Sequence, residues 1–138
     1  KKTVFLVAGS GPLERAINGP NIKLLGAVPH NDVHLLFVAS DLFFMPSEEE
    51  GFPHVVLEAM ASGIPIVATN VGGVKEIVPP EVSPFLTDRK ANLFVKYIIE
   101  LLENPHLRQE LSEKERAFVS RYSIENVLPE FKKILGIY

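Results

Sequence analysis

The chain alternates short apolar runs with glycine or proline loops and helical patterns, and that alternation restricts its fold more than any other feature. Residues 3–8 (TVFLVA) form an apolar run rich in β-branched and aromatic side chains, the pattern of a central strand buried on both faces of a parallel sheet. The loop GSGP (9–12) turns it into a short helix, with Pro12 suited to the first helical position. A second strand is predicted at 21–28 (NIKLLGAV) and a helix at 30–40 (HNDVHLLFVAS), capped by Asn31 or Asp32. A third strand, 41–47 (DLFFMPS), leads to a helix from Pro53 to about Ser62 that stops at Gly63. A fourth strand at 65–70, a Gly-Gly turn into another short helix, and a weaker strand at 83–88 complete the alternation. Residues 88–138 read as a mostly helical tail in three segments. Ser123 caps the last of them, and Pro129 is expected to kink or delay it. Strands alternating with helices predict an α/β fold, a Rossmann-like, mostly parallel sheet with helices on both faces. No repeat, low-complexity tract or linker divides the chain, so 1–138 reads as a single domain.

Bulk properties narrow the function classes. A length of 138 residues, 46% of them hydrophobic and 22% charged, is that of an ordinary globular domain with room for a sizeable core. The net charge of -3 argues against a general nucleic-acid or membrane-surface binder, since both need a basic surplus. Without cysteine, disulfides and thiolate metal sites are excluded, which fits a cytoplasmic protein. No His, Asp or Glu cluster has metal-ligand spacing, and no apolar run is long enough to span a membrane. Thr3 to Ala8 already reads as strand with no leader before it, so a piece of a longer chain is expected.

Ligands of parallel α/β sheets bind at the carboxyl ends of the strands, here the loops 9–12, 46–53 and 70–73. The stretch from Pro46 to Gly73, PSEEEGFPHVVLEAMASGIPIVATNVGG, carries the chemistry. Pro53 has its φ angle preset for the first helical position, and the next amides, on His54 and Val55, point out of the helix start. Unpaired donors and the partial positive charge of a helix start make a phosphate site. Gly51 lets the backbone turn sharply and approach a ligand. Glu50 precedes the helix, and Glu58 lies four residues after His54 on the same face. A carboxylate beside a phosphate repels it, so each glutamate is better suited to a pair of neighbouring sugar hydroxyls. A phosphate at the helix start between two diol acceptors describes a nucleotide-diphosphate sugar.

Plainer readings stand beside these. Taken without the surrounding motif, Glu50 and Glu58 are two exposed acids near a helix start, where acids are favoured. Glu48 and Glu49 read as a solvated loop. His54 is a solvent-facing helix residue or a weak phosphate contact. Gly9-Ser10-Gly11 is a tight strand–helix turn or lines the cleft, and Gly72-Gly73 is a turn. Residues 42–45 belong to the core, and the tail's RQELSEKERAF is a solvated face with i,i+4 pairing.

Over most of its length the chain resembles the retaining glycosyltransferases of the GT-B fold grouped as family 4. VAGSGP resembles that family's strand and glycine loop, and IKLLGAVPHNDVHLLFVASDLFFMPS its next strand, helix and strand. EGFPHVVLEAMASGIPIVATNVGGVKEIV is similar to its signature almost residue for residue, including two glutamates separated by seven residues. The resemblance implies that Glu58 holds the donor ribose and that Glu50 acts at the donor sugar near the reacting carbon. It implies that backbone amides around Phe52, His54 and Val55 hold the sugar and distal phosphate. The turn from Gly26 to Val28 lines the base pocket, and Gly9, Gly11, Gly51 and Pro53 complete the donor-binding set. The donor would be a UDP-, GDP- or ADP-sugar, with no tightly bound cofactor and no metal.

Three departures qualify that reading. The family's Arg/Lys pair on the diphosphate comes from a unit preceding TVFLVA. Its amino-terminal Rossmann-like half, with the acceptor site, would also precede this chain. The strand after the last acid reads VSPFL, without the family's glycine. The chain is therefore expected to be a carboxy-terminal, donor-binding half truncated on its amino-terminal side and inactive in transfer alone, with any membrane docking through the other half. A non-catalytic sugar-nucleotide-binding or regulatory module, and a GT-B-shaped epimerase or phosphorylase, are the alternatives. Further acid/base residues would be needed for an epimerase, and none is evident beyond Glu50, Glu58 and His54.

Overall fold

A computed structural model describes residues 3–136. They divide into two compact units, with the boundary between Leu35 and Leu36. The first unit holds strand β1 (Phe5–Ala8), a 3-10 turn (Glu14–Ala16) and strand β2 (Ile22–Gly26). β1 and β2 pair in parallel from Phe5↔Ile22, with a register shift between Val7 and Ala8. β1 is parallel as predicted but is not a central strand among the described residues: it pairs with β2 alone, and Phe5 and Leu6 are about 40% exposed. Pro12 does not start a helix either. Leu13 occupies the N-cap and the turn begins at Glu14, held by Glu14 N–H donating to the Gly11 carbonyl at 3.1 Å.

Helix α1 (His30–Val38) runs across the boundary between the units. It begins one or two residues before the predicted caps. Asn31 and Asp32 lie inside its first turn, where the Asp32 amide donates to the Pro29 carbonyl at 2.9 Å.

The second unit contains strands β3 (Phe43–Met45), β4 (Ile66–Thr69) and β5 (Leu86–Thr87) in one parallel sheet with β4 in the middle. The central position explains why β4 reads as a continuous apolar run: all four of its residues are buried. β5 is shorter than predicted. Ser83–Phe85 form a 3-10 turn with proline in its first positions, and only two residues remain for pairing. Helix α2 (His54–Ser62) buries Val56, Ala59 and Met60, and Gly63 closes it in a left-handed cap. A 3-10 turn, Gly72–Glu76, follows β4. Helices α3 (Ala91–Glu103) and α4 (Pro105–Val119) add Phe94, Ile98, Leu101 and Leu111 to the same core. Asn104 caps α4 by accepting from the Leu107 amide at 3.0 Å.

The face of α4 predicted to be solvated is only partly so. Glu110 and Lys114 form the expected i,i+4 pair at 2.7 Å, but Glu115 is fully buried. One Glu115 carboxylate oxygen accepts from the Ile66 amide at 3.2 Å, at the entrance to β4, and the other has no partner among the described residues. Ser112 Oγ donates to the Gly63 carbonyl at 2.6 Å, and Arg116 Nη2 donates to that of Ser62 at 3.1 Å. Residues 112, 115 and 116 share one face of α4, and together they hold the turn between α2 and β4.

A further 3-10 turn, Ser120–Tyr122, leads to helix α5 (Ile124–Leu135). Ser123 occupies the N-cap as predicted, but its side chain makes no capping bond to a backbone amide. Pro129 neither delays nor ends the helix, which runs through it to Gly136. Its ring leaves only the Glu125 carbonyl without the usual helical donor, and every residue of this helix is exposed to water.

Candidate functional site

Parallel pairing of β3 with β4, Met45 opposite Ala68, sets the loops that follow these strands side by side at the carboxyl edge of the sheet. They are joined by backbone. Gly73 N–H is shared between the carbonyls of Glu50 at 3.3 Å and Gly51 at 3.2 Å. Gly72 has φ +49°, and a Cβ there would overlap the Glu50 carbonyl oxygen. Glycine at 72 is therefore required by left-handed backbone and by close approach together. Gly72-Gly73, read from sequence as a turn, is also the seam of the site. Gly51 needs no left-handed backbone: its φ is not positive, and a Cβ there would meet open space.

Between the loops lies an open hollow of about 620 Å³ lined by Glu48, Glu49, Glu50, Gly51, Val71 and Gly72. That volume lies within the usual range for small-molecule sites, roughly 300–1,000 Å³. Glu48 and Glu49 are exposed, as a solvated loop should be, and Glu48 pairs with Arg89 at 2.7 Å. Glu50 is half-buried, and its carboxylate has no hydrogen bond or ion pair among the described residues. Val71 belongs to the loop 70–73 expected at the carboxyl edge of the sheet, though its residue type does not mark it as part of the lining.

Pro53 is buried and extended, φ -76° and ψ 95°, so it is the N-cap of α2 rather than its first helical residue. Its carbonyl accepts from the Val56 amide at 3.0 Å. The amides of His54 and Val55, ahead of that bond, have no acceptor among the described residues. His54 is exposed, its ring edge-on to that of Phe52 at 5.5 Å. Glu58 is half-buried on the second turn of α2, four residues after His54, and its carboxylate also lacks a partner. Phe52, Pro53, His54, Val55 and Glu58 do not line the hollow but continue from its Glu50–Gly51 wall into α2.

The remaining sequence-predicted residues lie in the first unit. Gly9 N–H donates to the Gly26 carbonyl at 2.7 Å, tying the loop after β1 to the end of β2. Gly9 takes φ +125°, which a residue with a side chain rarely adopts. Gly11 lies in a second hollow of about 510 Å³ with Pro12, Glu14, Arg15 and Leu24. Val28 follows β2 and is half-buried. Among the described residues no group of three or more His, Cys, Asp or Glu side chains could hold a metal ion, and no helix is long and apolar enough to cross a membrane.

A parallel α/β fold with glycine-bearing loops at its carboxyl edge and free carboxylates beside a helix start defines a class of ligand-binding folds. The comparisons narrow the class. Residues 2–118 match the family "Glycosyl transferases group 1", and the chain belongs to that family. It is 40% identical over 107 residues to an uncharacterized glycosyltransferase of Haemophilus influenzae, covering 76% of this chain and 30% of that protein. The chain spans about a third of the length of such relatives. Among solved structures, Anabaena HepE in complex with UDP superposes with a TM-score of 0.85 at 23% identity, over 97% of this chain and 41% of HepE. HepE has also been solved with UDP-glucose, at a TM-score of 0.81. The C-terminal domain of the group 1 protein LpcC from Francisella tularensis matches with a TM-score of 0.68 at 24% identity, over 81% of this chain and 59% of that domain. The fold is that of the GT-B glycosyltransferases, parallel sheets flanked by helices with a helical tail.

Proposed function

We propose that this chain is the carboxy-terminal, donor-binding domain of a retaining, family 4 glycosyltransferase that moves a hexose-type sugar from a nucleotide diphosphate to a hydroxyl acceptor. One observation carries the reading: Glu50 and Glu58 are half-buried, unpartnered carboxylates on either side of a helix start whose leading amides are unpaired as well. Half-buried groups left without partners in the free protein are suited to a ligand that supplies them. HepE, of the same fold, binds UDP and UDP-glucose, which supports a nucleotide-sugar donor.

In the reaction, the bond between the anomeric carbon and the phosphate oxygen breaks, and a bond from that carbon to the acceptor oxygen forms. The proton of the acceptor hydroxyl passes, directly or through water, to the nucleotide diphosphate that leaves. Negative charge grows on the diphosphate, where the amides of His54 and Val55 and the dipole of α2 would stabilise it. Glu58 would accept from both ribose hydroxyls, and Glu50 would orient the sugar. Phe52 and Pro53 set the approach to the helix. An amino-terminal domain would bring the acceptor, so transfer by this chain alone is expected to be undetectable.

Calorimetric titration of variants tests the assignment. Glu58→Ala is expected to weaken binding of the free nucleotide by about tenfold or more, the loss of hydrogen bonds to a charged acceptor. Glu50→Ala should leave free nucleotide binding within about twofold and abolish the preference for the sugar conjugate. Equal effects of the two substitutions would contradict the division of roles.

A further inference from the structure

Tyr122 lies 64 positions beyond Glu58, in the 3-10 turn that ends α4, yet it touches both segments that form the hollow. Its ring stands edge-on to Phe52, with centroids 6.0 Å apart and planes at 70°. Phe52 in turn lies edge-on to His54 at the start of α2. On the other side, Tyr122 Oη donates to the Glu76 carbonyl at 3.4 Å. Glu76 ends the 3-10 turn that begins at Gly72, the residue packed against the Glu50 carbonyl. Phe118, one turn earlier, backs the Tyr122 ring at 6.3 Å, and the Arg121 guanidinium covers Phe118 at 3.8 Å.

The ring of Phe52 is 51% exposed, so its own burial does little to fix the Glu50–Pro53 loop. The loop's side-chain restraint on this flank is the aromatic contact with Tyr122. Edge-to-face pairs favour a definite relative orientation and not merely proximity.

We propose that Tyr122 is a positioning residue for the donor site, clamping the Glu50–Pro53 loop and the Gly72–Glu76 turn in the arrangement that a nucleotide sugar meets. The donor half of the statement rests on the proposed function; the clamp itself does not. Tyr122 acts through Phe52 and Glu76 and needs no contact with the ligand.

Hydrogen exchange and calorimetry on the same variants decide it. In Tyr122→Ala, amides of 70–76, above all Gly73, whose N–H is shared between the Glu50 and Gly51 carbonyls, are expected to exchange faster, while those of β4 keep their protection. Affinity for UDP-glucose, or for the GDP- or ADP-sugar that binds best, should fall by about threefold to tenfold, the range an aromatic contact supplies. Tyr122→Phe retains the ring against Phe52 and loses the bond to Glu76, so it should recover the protection of Gly73, which depends on the placed Glu50 and Gly51 carbonyls, and most of the affinity, while the end of the turn at Glu76 stays loosened. Unchanged exchange of 70–76 would overturn the clamp, whatever the protein binds. Faster exchange with unchanged affinity would overturn the link to the donor. Should the unaltered chain bind none of the nucleotide sugars, the donor assignment falls while the exchange result still decides the clamp. Equal loss in the Phe and Ala variants would overturn the aromatic basis.

Discussion

Gly72→Ala is expected to dismantle the site and to cost on the order of 3 kcal/mol of stability, a large effect for one added methyl group. Two penalties combine. Alanine at φ +49° occupies left-handed backbone at a cost of roughly 1–2 kcal/mol. Its Cβ would also overlap the Glu50 carbonyl oxygen, a backbone atom that cannot swing aside as a side chain does. Relief requires the loops after β3 and β4 to part, which would break the shared bonds from Gly73 N–H to Glu50 and Gly51. Urea unfolding together with nucleotide titration would read both losses. Gly51→Ala is the matched control for stability alone, since a Cβ there meets open space at ordinary φ, and a change in unfolding free energy within about 0.5 kcal/mol is expected. Equal tolerance of alanine at both positions would mean that the seam does not hold the loops.

Stability of this protein is expected to fall as pH rises from about 4.5 to about 8, with Glu115 as the cause. Burial pushes its carboxyl up to about 8, and the single bond from the Ile66 amide offsets this only in part. Over this interval the folded chain holds a proton that the unfolded chain has released. Unfolding therefore gains from each rise in pH, by at most about 1.4 kcal/mol per unit. Below the interval both states are protonated and above it both are ionised, so the contribution levels off at each end. Glu115→Gln keeps an acceptor for the Ile66 amide and cannot ionise. Its unfolding free energy, measured from pH 5 to 8, should lack this slope, whatever its absolute value. Parallel curves for the two proteins would show that Glu115 titrates like an exposed acid.

The paired glutamates and the helix between them were legible because local chemistry determines them. An N-terminal proline, a C-terminal glycine and apolar positions 56, 59 and 60 leave little choice but a helix with Glu58 on its outer side. The buried run 66–69 was equally plain. The readings that failed depend on contacts distant in sequence. Apolar β1 looks central, but a run of side chains does not say how many neighbours a strand has. Glu115 sits in a charged stretch indistinguishable from a solvated face, and only the Ile66 amide, 49 positions away, makes its burial tolerable. Gly72 and Gly51 are both glycines in predicted turns, and the carbonyl that makes only one of them indispensable comes from another loop. Tyr122 is invisible for the same reason: one tyrosine in a helical tail carries no mark of the phenylalanine it meets.

Calorimetric titration of the unaltered chain with UDP, GDP and ADP at low salt tests the central claim most directly. A donor-binding domain is predicted to bind one of them at least about tenfold more tightly than the other two, because a base pocket discriminates by about 1.4 kcal/mol or more. Equal affinities for all three nucleotides, or no binding up to millimolar concentration, would contradict the assignment of this chain to donor binding.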